Sequence, residues 1–339
     1  MVCMRVLAQK EQKVKLDLIN QKILYLLSKN ARYSYSTIAK QVKLSREAVK
    51  QRIQRLQEKE VLLGFQALID PNKLGLSSYH LFIKLDNLQP ELPQKLIDDK
   101  DVNALIEYNG KFDFEISYLL NNLNQLNDKI KLLNDVHNYE LCFLLDTLVS
   151  KTYPGCMYDF EIAEFKATKD GSFNSEFKKN NNGKVKLDQT DFKLLQALAE
   201  NSRLSTMDIS LKIKLSVDAV IYRIKKLITA GIIREFRPTI NYAALGYSVY
   251  SLFLRFKGLT KENEAKFKQF VKQHPNFLWS VNCLGTFNNL SYLIVKDTFE
   301  FHKVITELRT EFQDVLDSYE TMLSFAEHKY TYFPERIVD

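Results

Sequence analysis

The chain contains itself twice. Residues 15–85 align with residues 186–256 without a gap at a constant offset of 171, and 26 of the 71 paired positions are identical. KLDLINQKILYLL lies over KLDQTDFKLLQAL, and NARYSYSTIAKQVKLSREAVKQRIQRL lies over NSRLSTMDISLKIKLSVDAVIYRIKKL. Most of the remaining pairs exchange one apolar residue for another. A repeat of this length makes each copy a folding unit, so the architecture has to accommodate two. The chain has 339 residues, room for two to four domains.

Each copy opens with an amphipathic helix, marked by Leu16, Ile19, Ile23 and Leu26/Leu27 in the first and by Leu187, Leu194, Leu195 and Leu198 in the second. A short second helix follows from the N-caps Ser34 and Ser205. Tyr33 with Ile38, and Leu204 with Ile209, form hydrophobic staples around those caps. The third helix starts at Ser45 or Ser216, stapled by Leu44 with Val49 and by Leu215 with Val220. Only Lys43-Leu44, or Lys214-Leu215, separates the second helix from the third. That tight helix–turn–helix is the unit whose second helix docks in a DNA major groove. The β-rich runs LLGFQALID and IIREFRPTI come next and read as a two-stranded wing. Gly231 suits a helix C-terminus in the second copy; Glu60 stands there in the first, so that cap is weaker or made differently.

Downstream of each wing the pattern changes. SSYHLFIKL, ELPQKLIDDK, ALIEYN, FDFEISYLL, LNQLNDKIKLLND and LCFLLDTLVSKTY alternate as β-α-β-β-α-β, the order of a ferredoxin-like sandwich, and a second such series follows the second wing. The expected fold class is therefore α+β. Residues 1–75 form winged helix-turn-helix domain 1, 76–165 ferredoxin-like domain 1, and 166–185 a polar linker. Residues 186–246 form winged helix-turn-helix domain 2 and 247–339 ferredoxin-like domain 2. The two sandwich domains are expected to pair through their sheets, within one chain as a pseudo-dimer or between chains of a homo-oligomer.

Charge follows this division. Residues 1–85 carry 16 Lys/Arg against 6 Asp/Glu, whereas residues 86–165 carry 6 against 15. Residues 186–256 are basic again, 11 against 6, and residues 257–339 carry 10 against 12. Positive charge sits in the helical repeats, where it attracts a phosphate polymer such as double-stranded DNA. Four scattered cysteines with no CxxC pair form no zinc or disulfide framework and suit a reducing, cytoplasmic setting. No signal-peptide core and no run of about 18 apolar residues is found, so no membrane partner is expected.

The repeats resemble the Lrp/AsnC (feast/famine) family of transcription regulators. Leu16-Asp17, Arg32, Ser34, Leu44-Ser45, Val49, Arg52-Ile53, Leu56, Phe65 and Gly75 fit its pattern, and Leu187-Asp188, Arg203, Ser205, Leu215-Ser216, Val220, Arg223-Ile224, Leu227, Phe236 and Gly246 fit it again. The resemblance covers both helix-turn-helix units strongly and both ferredoxin-like (RAM-type) domains loosely, through element order and a G-x-F-D/N turn. It implies a sequence-specific DNA-binding regulator, with an amino acid or similar small molecule as effector. Asn20 for the family's second acid, Glu60 for its glycine and Asn288 for an aspartate depart from the pattern.

On the third helix of the first copy, Val49, Ile53 and Leu56 face the core. Arg46 then stands toward a guanine edge or a phosphate, Lys50 and Gln51 toward bases, and Lys43, Ser45 and Arg55 toward the backbone. Arg52 reads equally as a clamp of the motif. The second copy puts Val217 for Arg46 and Ile221 for Lys50 and keeps Lys225 and Lys226. It is expected to make the weaker contact, with thymine methyls or phosphates, or to have become a packing surface. An asymmetric operator with one strongly specified half-site follows. Gly110 with Asp113, and Gly285 with Asn288, mark turns that are either effector-proximal or plain hairpin turns.

No phosphate-binding glycine loop, HExxH or GxSxG occurs, and the five histidines are far apart, so no catalytic residue, metal or cofactor is expected. An enzymatic alternative rests on a resemblance to sirohaem decarboxylases, which share the two-domain architecture as fused pairs and line a haem-type pocket with His and Arg. His274 and Trp279 stand near the relevant place, without an Arg-rich surround. A winged-helix protein-interaction scaffold is the third reading; the clustered basic helices count against it.

Overall fold

The computed structural model describes residues 5–8, 13–87, 89–133, 136, 138–162, 165, 186–258 and 260–333. The linker expected at 166–185 lies outside the described residues, as do Cys3 and His137. The chain forms two compact units, each assembled from both repeats. One comprises Met1–Lys15, Ser78–Met157 and Asn241–Tyr330, the other Leu16–Ser77, Tyr158–Ile240 and Thr331–Asp339.

The helical unit holds α1 (Leu18–Lys29), α2 (Tyr35–Val42), α3 (Arg46–Glu58) and β2 (Leu62–Ile69) of the first repeat. The second repeat supplies α6 (Gln189–Glu200), α7 (Thr206–Ile213), α8 (Val217–Thr229) and β7 (Ile233–Ile240). Ser34, Ser45, Ser205 and Ser216 cap their helices as the stapled spacing predicts, each hydroxyl accepting from an N–H three residues on. Lys43 (φ 55°) and Lys214 (φ 56°) make both helix–helix turns in the left-handed region. The wing runs do form a two-stranded sheet, but not as a hairpin in either copy: β2 pairs antiparallel with β7, one strand from each repeat.

The sheet unit holds β1 (Arg5–Val6) with β3 (Ser77–Lys84), α4 (Leu92–Asp98), β4 (Val102–Asn109), β5 (Phe114–Leu120), α5 (Leu123–Lys131) and β6 (Asn138–Ser150). The second repeat adds β8 (Ser248–Phe256), α9 (Lys261–Gln273), β9 (Phe277–Gly285), β10 (Asn289–Val295), α10 (Thr298–Glu311) and β11 (Leu316–Tyr330). Each series has the ferredoxin-like strand order, β4-β5-β3-β6 and β9-β10-β8-β11. Alternation along each strand sends one set of side chains toward its own helices. Tyr79, Leu81, Ile83, Leu105, Ile116 and Leu126 share one such core, and Leu252, Leu254, Phe267, Phe277, Leu293 and Leu308 share the other.

The two series pair within the chain. β6 runs along β3 through Asn138–Phe143 and along β9 through Cys142–Ser150. β11 runs along β8 through Leu316–Ser324 and along β4 through Leu323–Tyr330. Each long final strand begins in its own sandwich and ends in the other, so the eight principal strands close into a ring. No helix among the described residues is long and apolar enough to cross a membrane.

Candidate nucleic-acid interface

The surface of α3 follows from its periodicity. Val49, Ile53 and Leu56 are buried, and Arg46, Glu47, Lys50, Gln51, Gln54 and Arg55 are exposed, together with Lys43 and Ser45 at its start. Glu47 stands 4.0 Å from Lys50, a loose exposed pair worth little. Arg46 and Arg55 make no ion pair among the described residues. α8 buries Val220, Ile224 and Leu227, but its outer face differs: Val217 and Ile221 are half-buried, and Tyr222 is 68% exposed. Lys225 is exposed. Lys226, expected to grip the backbone, lies 3.3 Å from the fully buried Asp191, so its ammonium is already engaged.

The family arginine of the third helix acts as a clamp in both copies. Arg52 donates to Asp17 at 2.6 Å and to Asn20 at 3.0 Å, tying α3 to the start of α1. Arg223 does the same to Asp188 at 2.8 Å and Asp191 at 2.7 Å. Partial burial raises the Asp17 carboxyl, but Arg52 and the Asn20 N–H outweigh it and leave its pKa below 3.8. The Asp191 N–H and then Arg223 lower Asp188 likewise. In the second copy Asp188 and Asp191 also form a full capping box, which Asn20 denies the first.

The two helix-turn-helix units are joined by a reciprocal exchange. Arg32 donates to the Ser202 and Leu204 carbonyls, and Arg203 donates to those of Ala31 and Tyr33. Arg32 lies 5.5 Å over the Phe236 ring, Arg203 5.2 Å over Phe65 and 4.9 Å over Tyr35. Ala31 N–H donates to Phe236 and Ser202 N–H to Phe65, fastening α1 and α6 onto the strand pair. Burial, with the neighbouring Arg203 charge, pushes Arg32 down to about 10, still cationic at neutral pH. This pairing holds α3 and α8 in one rigid frame. The exchange was not read from sequence; the signal was an arginine retained at the same place in both copies.

The turns singled out for an effector are latches. Asp113 accepts from Lys84 Nζ and the Leu85 N–H, each at 2.7 Å, pinning the β4–β5 hairpin to the end of β3. Asn288 does the same to Phe256, accepting from its N–H and donating to its carbonyl at 2.9 Å. At Gly285 a Cβ would collide with the Leu141 carbonyl of β6, and at Gly110 it would lie 2.9 Å from the Met322 side chain. Both glycines therefore serve close packing of the strand ring.

A buried polar network in the sheet unit went unread. The Glu115 carboxylate, fully buried, accepts from Tyr108 and, at 3.1 Å, from Tyr292, and lies 2.5 Å from His80 Nδ1. His80 Nε2 meets the Ser78 and Ser117 hydroxyls at 3.1 Å. Burial first, then the Glu115 charge, raises both tyrosines well above their ordinary range. The signal was an acid inside FDFEISYLL, a strand otherwise fit for burial on both faces. His274, the enzymatic candidate, is bound at both nitrogens, to Glu307 at 3.1 Å and to the Asn276 N–H at 3.2 Å.

A family model for the AsnC-type helix-turn-helix domain matches residues 16–57, and one for a winged helix-turn-helix DNA-binding domain matches residues 187–234. The chain is 31% identical over 139 residues to the HTH-type transcriptional regulator Ptr1 of Methanocaldococcus jannaschii, an alignment covering 39% of this chain and 93% of that protein. It is 26% identical over 151 residues to the leucine-responsive regulatory protein of Rhizobium meliloti, covering 43% and 94%. Among solved structures, the siroheme decarboxylase NirDL superposes with a TM-score of 0.62 at 12% identity, covering 94% of this chain and 97% of that one. At that identity the likeness is one of fold.

Proposed function

This chain belongs to the Lrp/AsnC family of DNA-binding transcriptional regulators, and from that premise we propose that its two halves read DNA unequally. The first half specifies sequence through Arg46, Lys50 and Gln51, with Lys43, Ser45 and Arg55 on the backbone. The second half adds a weaker grip centred on Lys225. The observation that carries this reading is the exposed, largely unpaired cationic face of α3 beside an α8 whose matching positions are Val217, Ile221 and Tyr222. Side chains near the N-terminal end of the third helix are those that reach base edges. The operator is then asymmetric, with one strongly specified half-site.

Gel shifts against a duplex recovered by selection test the ranking. Arg46→Ala with Lys50→Ala is expected to lower specific affinity at least about 100-fold, at roughly 1–3 kcal/mol per base contact. Lys225→Ala is expected to cost only a few-fold and to reduce the salt slope by about 1. The opposite order, or a selected site that is a perfect palindrome, sinks the proposal. Amino-acid responsiveness is carried here by family membership alone; a thermal-shift series with the amino acids tests it. Decarboxylase activity is no part of the proposal, because His274 is committed to Glu307 and Asn276.

A further inference from the structure

A cavity of about 210 Å³ opens in the helical unit where the two helix-turn-helix motifs meet. Three guanidinium groups line it, those of Arg32, Arg46 and Arg203, with the side chains of Tyr33, Tyr35 and Ser36 between them. No carboxylate lines it. Arg203 is fixed by the Ala31 and Tyr33 carbonyls and by two aromatic rings. Carbonyls orient a guanidinium without neutralising it. Arg46 completes the wall from the first turn of α3, exposed and with no ion pair among the described residues. Three cations around one small polar space repel each other until an anion enters, and arginine forks suit phosphate oxygens. The helices α2 and α7 both start at this wall, at Ser34 and Ser205, and add their positive ends; Asp208, bonded to Ser205, offsets the second.

We propose that this cavity binds a phosphate group, either a backbone phosphate of the duplex held by α3 or that of a small free phosphorylated molecule. The volume suits a phosphate with a small appended group and falls below the roughly 300–1,000 Å³ of drug-sized sites. The site is one-sided. The offset of 171 places Val217 where Arg46 stands, Thr206 for Tyr35 and Met207 for Ser36. An anion is therefore held on the first half's side only. The duplex source rests on the DNA-binding reading above; the free source does not.

The test uses the full chain in two arms. In the first, calorimetric titration with inorganic pyrophosphate at constant ionic strength probes the free source. In the second, a selected duplex carrying one uncharged methylphosphonate linkage, moved position by position, probes the backbone source. Arg46→Ala is expected to weaken pyrophosphate at least about tenfold, the loss of one charge-assisted pair, while Lys50→Ala, outside the wall, leaves it unchanged. Alternatively, one methylphosphonate position costs the wild type about tenfold and costs Arg46→Ala almost nothing. Either result supports the site and names its source. Absence of both, or equal losses of pyrophosphate in Arg46→Ala and Lys50→Ala, overturns it. A Lys50→Ala chain that keeps full duplex affinity would instead fault the DNA reading, leaving the pyrophosphate arm to stand or fall alone.

Discussion

The two helix-turn-helix units share a backbone and divide the labour. Where the first leaves Arg46, Lys50 and Gln51 outward, the second has Val217, Ile221 and Tyr222. Where the first braces its third helix with one aspartate and an asparagine, the second uses two aspartates, a capping box and Lys226. The α7 helix also has a complete capping box, Ser205 with Asp208, while α2 has only Ser34 with Thr37 beside it. At the end of the third helix Gly231 takes φ 70° freely, and Glu60 takes φ 54° at some strain. The comparison teaches that charge can be used in a helix-turn-helix in two ways. Cations turned inward onto acids stabilise the fold, and cations left outward are available to phosphate and bases.

The sharpest way to break this contrast is at Asp191. Asp191→Ala leaves Lys226 unpaired and Arg223 with Asp188 alone, and should destabilise the helical unit by about 3 kcal/mol in denaturant titration. Asn20→Ala, at the same place in the first half, should lose under about 1 kcal/mol. Equal losses would mean that the two clamps are equivalent. A second test converts one half toward the other. Val217→Arg with Ile221→Lys should raise duplex affinity about tenfold and steepen the salt dependence by up to two phosphates. No change would mean that α8 does not approach the duplex.

Smaller effects refine the picture. Glu60→Gly should stabilise by about 0.5–1 kcal/mol, relief of the left-handed conformation less the glycine's chain entropy, and Gly231→Glu should lose a similar amount. Acid should act on both clamps. The folded pKa values of Asp17 and Asp188 lie below 3.8, so the unfolded chain binds more protons there. Their contribution is complete above the unfolded pKa and fades as pH falls through the folded one. Melting curves below about pH 4 should therefore fall less steeply in Asp17→Asn and Asp188→Asn than in the wild type.

Much of this was legible in the chain because it depends on neighbours. Serine caps with their staples located four helix starts, and alternation located the strands of both sandwiches. The outward faces of α3 and α8 followed from a period of 3.6. What was not legible depends on partners far along the chain. The wing runs pair with each other across the repeats, a register that no local pattern encodes. Lys226 reads as a free cation until Asp191, 35 positions earlier, is seen beneath it. The Arg32–Arg203 exchange links residues 171 apart and needs both copies folded. Asp113 and Asn288 carry effector-like chemistry, yet their bonds go to the ends of β3 and β8.

The shared final strands have a consequence for how such a molecule can change over generations. Because β6 completes the other sandwich's edge and β11 returns the arrangement, each half meets its counterpart at any dilution, and always in a ratio of one to one. A self-associating ancestor would have to present every substitution twice, once on each side of its axis. Here a substitution such as that at position 217 appears once, and the neighbour at position 46 is free to keep its arginine.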